Sequence, residues 1–430
     1  FRNGDAQDRR FCEVRRSCRR ATGIPAFSRK RQEAHPDSRQ WACARFRSSI
    51  RYAIIQEMLE LNSYVCAICK QRYPLSSLDW RCSCGGLFEL EAWPAFDAAA
   101  IDSDQQGQWR YRRLLPLDPS WEPVTLGEGN TPLLALKWQG HPVLFKMESM
   151  CPTGSFKDRG ASALVTALRG VGVRRVVEDS SGNAGASLAA YAARAGIGCE
   201  ICVPNTITGP KLAQMAFHGA EVIEIKGRRE YAALAAWAAS AHGALYASHT
   251  FNPFFLAGIE TLAYELWEQL GRRAPSSVVL PVGNGTLLLG VHQGFERLLH
   301  AGLIERQPRL LAVQAEACSP VYQAFHDGRD RVELATIAPT VASGIAIGKP
   351  IRGAQILSAI RASGGTALSV SENEIDDARN ELARRGFYVE GTSAVAVAAL
   401  AHLPHRTVET SDEDQMVVLL TGHGLKIDPG

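Results

Sequence analysis

From about residue 143 to residue 420, short unbroken apolar runs alternate with longer stretches in which apolar residues recur every three or four positions. A run such as Val278-Val279-Leu280-Pro281-Val282 reads as a strand buried on both faces, and the spacing that follows it reads as a helix. The pattern predicts strands at 143–148, around 176–177, and at 199–203, 221–225, 278–282, 310–314 and 416–420. Helices are predicted at 161–168, 186–195, 211–218, 231–241, 258–270, 287–299 and 374–385. Regular strand–helix alternation implies largely parallel sheets with helices on both faces, so the fold class is α/β.

Length and composition fit an enzyme with a sizeable core: 430 residues, 46% hydrophobic and 21% charged, enough for two or three domains. No apolar run is long enough to span a membrane, and no secretory segment opens the chain. Charge is unevenly spread. Residues 1–57 carry 13 Arg and one Lys against six acidic residues, a balance of +8 that leaves −5 for the rest of a chain whose net charge is +3. An Arg-rich targeting peptide is one reading of this leader, opposed by its acidic residues, and a nucleic-acid-binding arm is another. The preferred expectation is upstream sequence translated in frame, poorly ordered, with Met58 as the start and no nucleic-acid or membrane partner.

Three strand-to-helix junctions carry the candidate chemistry. Ser155-Phe156-Lys157-Asp158-Arg159-Gly160 presents a lysine where partial desolvation lowers the amine pKa and frees it to attack an aldehyde. Ser180-Ser181-Gly182-Asn183-Ala184-Gly185 leaves backbone N–H groups free for a carboxylate. Gly283-Asn284-Gly285-Thr286 opens a helix in the manner of a phosphate cradle. Each alone is an ordinary turn; together they suit an aldehyde cofactor bearing a phosphate, pyridoxal phosphate.

These motifs, with Pro123-Val124-Thr125-Leu126-Gly127-Glu128-Gly129-Asn130-Thr131-Pro132-Leu133 before them and Thr421-Gly422-His423-Gly424-Leu425-Lys426 after, stand in the order of a known family. The chain resembles the fold-type II pyridoxal-phosphate enzymes, and among them the threonine synthase-like lyases, over roughly residues 123–426. The resemblance implies two doubly wound lobes with the cofactor between them, the smaller at about 162–250 of a catalytic domain at 95–430. It implies that Lys157 forms the Schiff base and moves the Cα proton, and that Asn183 bonds the cofactor's phenolic oxygen. Gly283, Asn284, Gly285 and Thr286 would cradle the cofactor phosphate, and Thr421 would face the pyridine nitrogen. Ser180, Ser181 and Gly182, with Thr131, would bind the amino-acid substrate. A cytoplasmic enzyme is expected, with a homodimer left open.

Cys66-x-x-Cys69 and Cys82-x-Cys84, within a module at 58–94, have the spacing of a zinc ribbon with four thiolate ligands. Disulfides are the competing reading, opposed by a reducing compartment. The second pair is tighter than the usual spacing.

Two departures bear on the substrate. The family binds the phosphate of O-phosphohomoserine with arginines, one in a stretch N-P-x-R-x-E-G and one in A-I-R-I-G-N-P. Here Phe255 and Ala346 stand at those arginine positions. Lys349, Arg352, Lys137 or Lys146 are candidates to compensate. The first expectation is threonine synthase chemistry; the alternative is a relative that replaces or eliminates at Cβ, taking O-phosphoserine, serine or threonine. A nucleic-acid-binding regulator has no use for the lysine and its loops. His249 and His423 are read as residues that satisfy local hydrogen bonds, and Asp158 and Arg159 as a local charge pair that fixes the lysine loop.

Overall fold

The computed structural model describes residues 63–205, 209–227, 229–404 and 415–427, so the leader expected at 1–57 lies outside the described residues. The first sheet is small and antiparallel, in the order β2-β1-β3, from β1 (Ser63–Cys66), β2 (Arg72–Pro74) and β3 (Phe88–Leu90).

The chain then builds the outer edge of a six-stranded sheet with β4 (Leu133–Trp138) and β5 (His141–Lys146), and leaves it through helix α1 (Lys157–Gly170). A second, wholly parallel sheet follows, ordered β8-β7-β6-β9, from β6 (Arg175–Glu178), β7 (Gly198–Pro204), β8 (Glu221–Ile225) and β9 (Leu245–Tyr246). Its helices are α2 (Asn183–Ala195), α3 (Pro210–Phe217) and α4 (Arg229–Ser240).

Helix α5 (Pro253–Gln269) returns the chain to the large sheet, which is completed by β10 (Ser277–Pro281), β11 (Arg309–Ala315), β12 (Thr366–Val370) and β13 (Met416–Leu419). The order is β12-β11-β10-β13-β5-β4, parallel except for the β4 edge. Every residue of β10 and β13 is buried, as expected of central strands covered on both faces by helices. Those helices include α6 (Thr286–His300), α7 (Pro320–His326), α8 (Gly353–Ala362), α9 (Glu372–Arg384) and α10 (Gly391–Ala398). The expected α/β class with two largely parallel sheets is what the chain forms.

Two helices begin a full turn or more before the apolar spacing indicated, and both shifts matter to the site. Asn252 Oδ1 accepts from Phe254 N at 3.0 Å and Pro253 occupies the first turn, so α5 starts at Pro253 rather than at 258. Phe255 therefore points from a first turn into the core. Lys157 itself is the first residue of α1, whose start is fixed by Asp158: its carboxylate accepts from Thr153 N, Thr153 Oγ1 and Ser187 Oγ, each at 2.6 Å.

Arg159 does not pair with Asp158. It is fully buried and binds Glu148 (2.7 and 2.8 Å) and Glu265 (3.0 and 3.0 Å), each through two nitrogens, tying α1 to α5. Lys146 also pairs with Glu265, which places this lysine inside the core rather than near a ligand.

Candidate active site

A cavity of about 470 Å³ lies where the lysine loop, the Ser180–Asn183 turn and the Gly283–Thr286 turn meet, and the residues of all three turns line it. Lys157 enters at the N-terminus of α1, where Phe156 N donates to Thr421 O (3.1 Å) and Ser155 bridges Gly422. The ammonium lies 3.4 Å from Thr286 Oγ1. The rings of Phe156 and Phe255 stand 4.8 and 5.6 Å from it. Burial is the main cause that lowers its pKa to about 8; Glu178 and Glu390 oppose the shift and Arg229 adds to it.

The Gly283–Thr286 turn has the features of a phosphate cradle. Gly285 adopts φ +81°, and a Cβ there would collide with Ile356, so only glycine fits. No side chain caps the 15-residue helix α6, so its first N–H groups remain free to meet an anion. Asn183, which also lines the cavity, donates to Glu390 Oε1 at 2.8 Å, and its Nδ2 has a second hydrogen to offer. Its Oδ1 is buried without a partner, a polar atom that a bound group would satisfy. Thr421 is 1% exposed and lies 3.2 Å from Ser393 Oγ, leaving a small neutral hydroxyl beside the cavity. A flat aldehyde cofactor bearing one phosphate fits this set of an amine, an amide and a glycine cradle around one cavity.

Thr131 is placed elsewhere. It does not line the cavity; its hydroxyl donates to Glu148 (2.7 Å) and its N–H to Glu265 (2.9 Å), so it belongs to the buried charge layer around Arg159. The four proposed replacements for the absent arginines also miss the cavity. Arg352 is spent on the carbonyls of Thr250 (2.8 Å) and Phe251 (3.2 Å), and Lys349 and Lys137 are exposed outside it. Phe255 is buried against Gly160, where a Cβ would meet its ring at 2.5 Å. Ala346 stands just outside the wall formed by Ile345 and Ile347.

The cations that do line the cavity, besides Lys157, are Lys211, Arg229 and Lys426. Lys211 pairs with Glu390 Oε2 at 3.2 Å. Lys426 donates to Thr153 O (2.5 Å) and Gln214 (2.8 Å), and burial lowers its pKa to about 8. Arg229 has no hydrogen-bond or ion-pair partner among the described residues. Glu390 was missed in the sequence because a lone acid before a small-residue turn (Glu390-Gly391-Thr392-Ser393) looks like any helix start. His423 behaves as expected: Nδ1 accepts from Leu425 N at 3.1 Å.

In the antiparallel module, the Sγ atoms of Cys66, Cys69, Cys82 and Cys84 all lie within 4.8 Å of one another, with contacts of 3.4 Å between Cys66 and Cys84 and between Cys69 and Cys82. Four thiolates about 2.3 Å from a tetrahedral zinc stand roughly 3.8 Å apart, so the donor set fits that ion.

A family described as "Pyridoxal-phosphate dependent enzyme" matches residues 124–422. The chain is 36% identical over 376 residues to a protein of Methanocaldococcus jannaschii named threonine synthase, covering 85% of this chain and 92% of that one. A Mycobacterium bovis protein of the same name is 36% identical over 329 residues, covering 74% and 88%. Among solved structures, a threonine deaminase from T.th. superposes with a TM-score of 0.58 at 27% identity, covering 70% of this chain and 94% of that one. Maize serine racemase shares the fold at a TM-score of 0.61 and 21% identity, covering 70% and 89%. Family match, relatives and cavity agree with one another, and the chain belongs to the pyridoxal-phosphate-dependent enzymes.

Proposed function

We propose that this enzyme is a threonine synthase, a lyase that converts O-phosphohomoserine and water to threonine and phosphate. The observation that carries the reading is Lys157 facing one cavity together with an amide turn and a glycine-rich helix N-terminus. The 36%-identical relatives named threonine synthase support the choice of substrate.

Bound pyridoxal phosphate would supply an electron sink for charge developing at Cα. Lys157, Asn183, Gly283, Asn284, Gly285, Thr286 and Thr421 are the residues proposed to hold it. Lys157 takes the Cα proton; at a pKa of about 8 it is close to the balance between acceptor and donor at working pH. The Ser180–Gly182 turn receives the substrate carboxylate. Arg229 and Lys211, rather than positions 255 and 346, would receive the substrate phosphate, since they are cations that line the cavity.

The four cysteines would hold a closed, structural zinc, with no ligand position left for catalysis. Such thiolates suit a reducing compartment, which supports placing the enzyme in the cytoplasm. Domain limits at 58–94 and 95–430 follow the same reading.

The test is an assay of purified protein loaded with pyridoxal phosphate, offered O-phosphohomoserine, O-phosphoserine, serine and threonine in turn. Phosphate and threonine formed together from the first establish the function; product from another substrate only overturns it. Lys157→Ala should abolish the visible absorbance of the bound cofactor.

A further inference from the structure

One cavity histidine and the buried carboxylate behind it have no part in holding the cofactor or the substrate. Glu178 ends β6 with its side chain fully buried. Its Oε1 accepts from the backbone N–H of His249 (3.2 Å) and lies 2.6 Å from His249 Nδ1, while Oε2 has no partner. His249 lines the cavity, and its Nε2 has no protein partner among the described residues. Its ring stands 5.7 Å from that of Phe255, which also borders Lys157. Arg352 clamps the carbonyls of Thr250 and Phe251, fixing the backbone that carries this histidine.

Protonation follows from the surroundings. Burial is the largest cause that holds His249 well below its ordinary pKa; Lys157 and Arg229 push the same way and Asp179 opposes them. The ring is therefore neutral and has one N–H. Burial raises Glu178 to about 7, against the His249 N–H, Lys157 and Arg229, which lower it. Above that pH the carboxylate accepts a hydrogen bond from Nδ1–H, and the lone pair of Nε2 is left to the cavity.

A neutral base at this point of the cavity has a use in the reaction. When water adds across a Cα–Cβ double bond, the oxygen bonds to Cβ and the displaced electron pair goes to Cα, where a proton completes a C–H bond. Lys157 must be an ammonium to give that proton, so it cannot at that moment accept one from the water. Resting on the threonine synthase reading, we propose that Glu178 and His249 form a dyad whose Nε2 accepts the proton of the attacking water. The water O–H bond breaks as the C–O bond forms. The resulting imidazolium is stabilised by the Glu178 carboxylate and releases its proton to solvent, while Lys157 recovers one.

The test compares His249→Gln and Glu178→Gln with the parent in the full-length, cofactor-loaded enzyme, in heavy water with O-phosphohomoserine. Two quantities are read: hydrogen exchange at Cα, and threonine formation. His249→Gln should keep Cα exchange close to the parent's while threonine formation falls about 100-fold or more; Glu178→Gln, whose charge also acts on Lys157, should lower threonine formation more than it lowers exchange. A proportional fall in both quantities, or unchanged threonine formation, overturns the proposal. Nitrogen-15 NMR of the histidines at pH 8 reads the dyad without turnover. One neutral ring with a bare Nε2, absent from His249→Gln, is expected; an Nε2–H tautomer or an imidazolium overturns the dyad and leaves the substrate reading standing. A parent enzyme that makes no threonine overturns the substrate reading and this step with it.

Discussion

The Lys157 ammonium sits 5.6 Å from the centre of the Phe255 ring, and that ring fills the space left by the missing side chain of Gly160. Position 255 is thus part of the wall that dries the lysine, not a free place from which a cation was deleted. Phe255→Ala should open a cavity costing about 3–5 kcal/mol of stability, read by denaturant unfolding. It should also let water reach Lys157 and raise its pKa. A variant of unchanged stability would show that the ring is not packed as described.

Lys157 itself gives a pH prediction. Its pKa is lowered by burial to about 8 in the folded protein, whereas an exposed lysine titrates near 10.4. Between those values the unfolded chain binds more protons than the folded one, so this group makes the cofactor-free protein more stable as pH rises from 8 to about 10. In the same protein, labelling of Lys157 by an amine-selective reagent, followed by peptide mass spectrometry, should rise with a midpoint near pH 8. A midpoint above 10 would mean that the site is wet.

Most of this was legible in the sequence because it is local. The three junction turns, and strands such as Val278–Leu280 buried on both faces, carry their own signal in glycines and apolar runs. What stayed hidden depends on long-range partners. Arg159 meets Glu265 only after α5 has packed on α1, and it reaches back past its neighbour Asp158 to Glu148, so the adjacent acid was the wrong partner. Thr131 belongs to a substrate-binding stretch by resemblance, yet that same charge layer holds its hydroxyl. Arg352 lies near the motif whose arginine is absent, and the fold turns it toward backbone carbonyls instead.

Arg159 should be the most costly buried charge to lose. Both carboxylates that it binds are buried, so Arg159→Ala leaves Glu148 without a cation and Glu265 with Lys146 alone, and should destabilise the protein by about 3–5 kcal/mol. Arg159→Lys should recover only part of this, because one ammonium cannot bind two carboxylates through paired nitrogens. Full recovery by lysine in urea unfolding would contradict the bidentate geometry.

Glu390 holds Asn183 at 2.8 Å and Lys211 at 3.2 Å, so it orients one amide that lines the cavity and restrains one cation. Glu390→Ala should free both. Losing a hydrogen bond to a charged group, about 1.5–3 kcal/mol, corresponds to roughly 10- to 100-fold weaker cofactor binding. Fluorescence titration of the apo-protein with pyridoxal phosphate measures it. Unchanged affinity would mean that Asn183 is held in place by its own turn.

The cysteine module is joined to the parallel sheet by Trp80, whose ring stacks on Trp237 at 5.0 Å and meets Phe251 edge-on at 4.6 Å. The Phe251 carbonyl is in turn one of those clamped by Arg352, two residues from the cavity histidine. Metal loss should therefore be felt beyond the module. Purified protein should contain one zinc per chain by elemental analysis, and a strong chelator should lower its Tm. Cys82→Ser should mimic the chelator, and Trp80→Ala should lower Tm while zinc content stays at one. A chain that lacks zinc, yet is as stable as before in Cys82→Ser, would show that the four thiols only pack together.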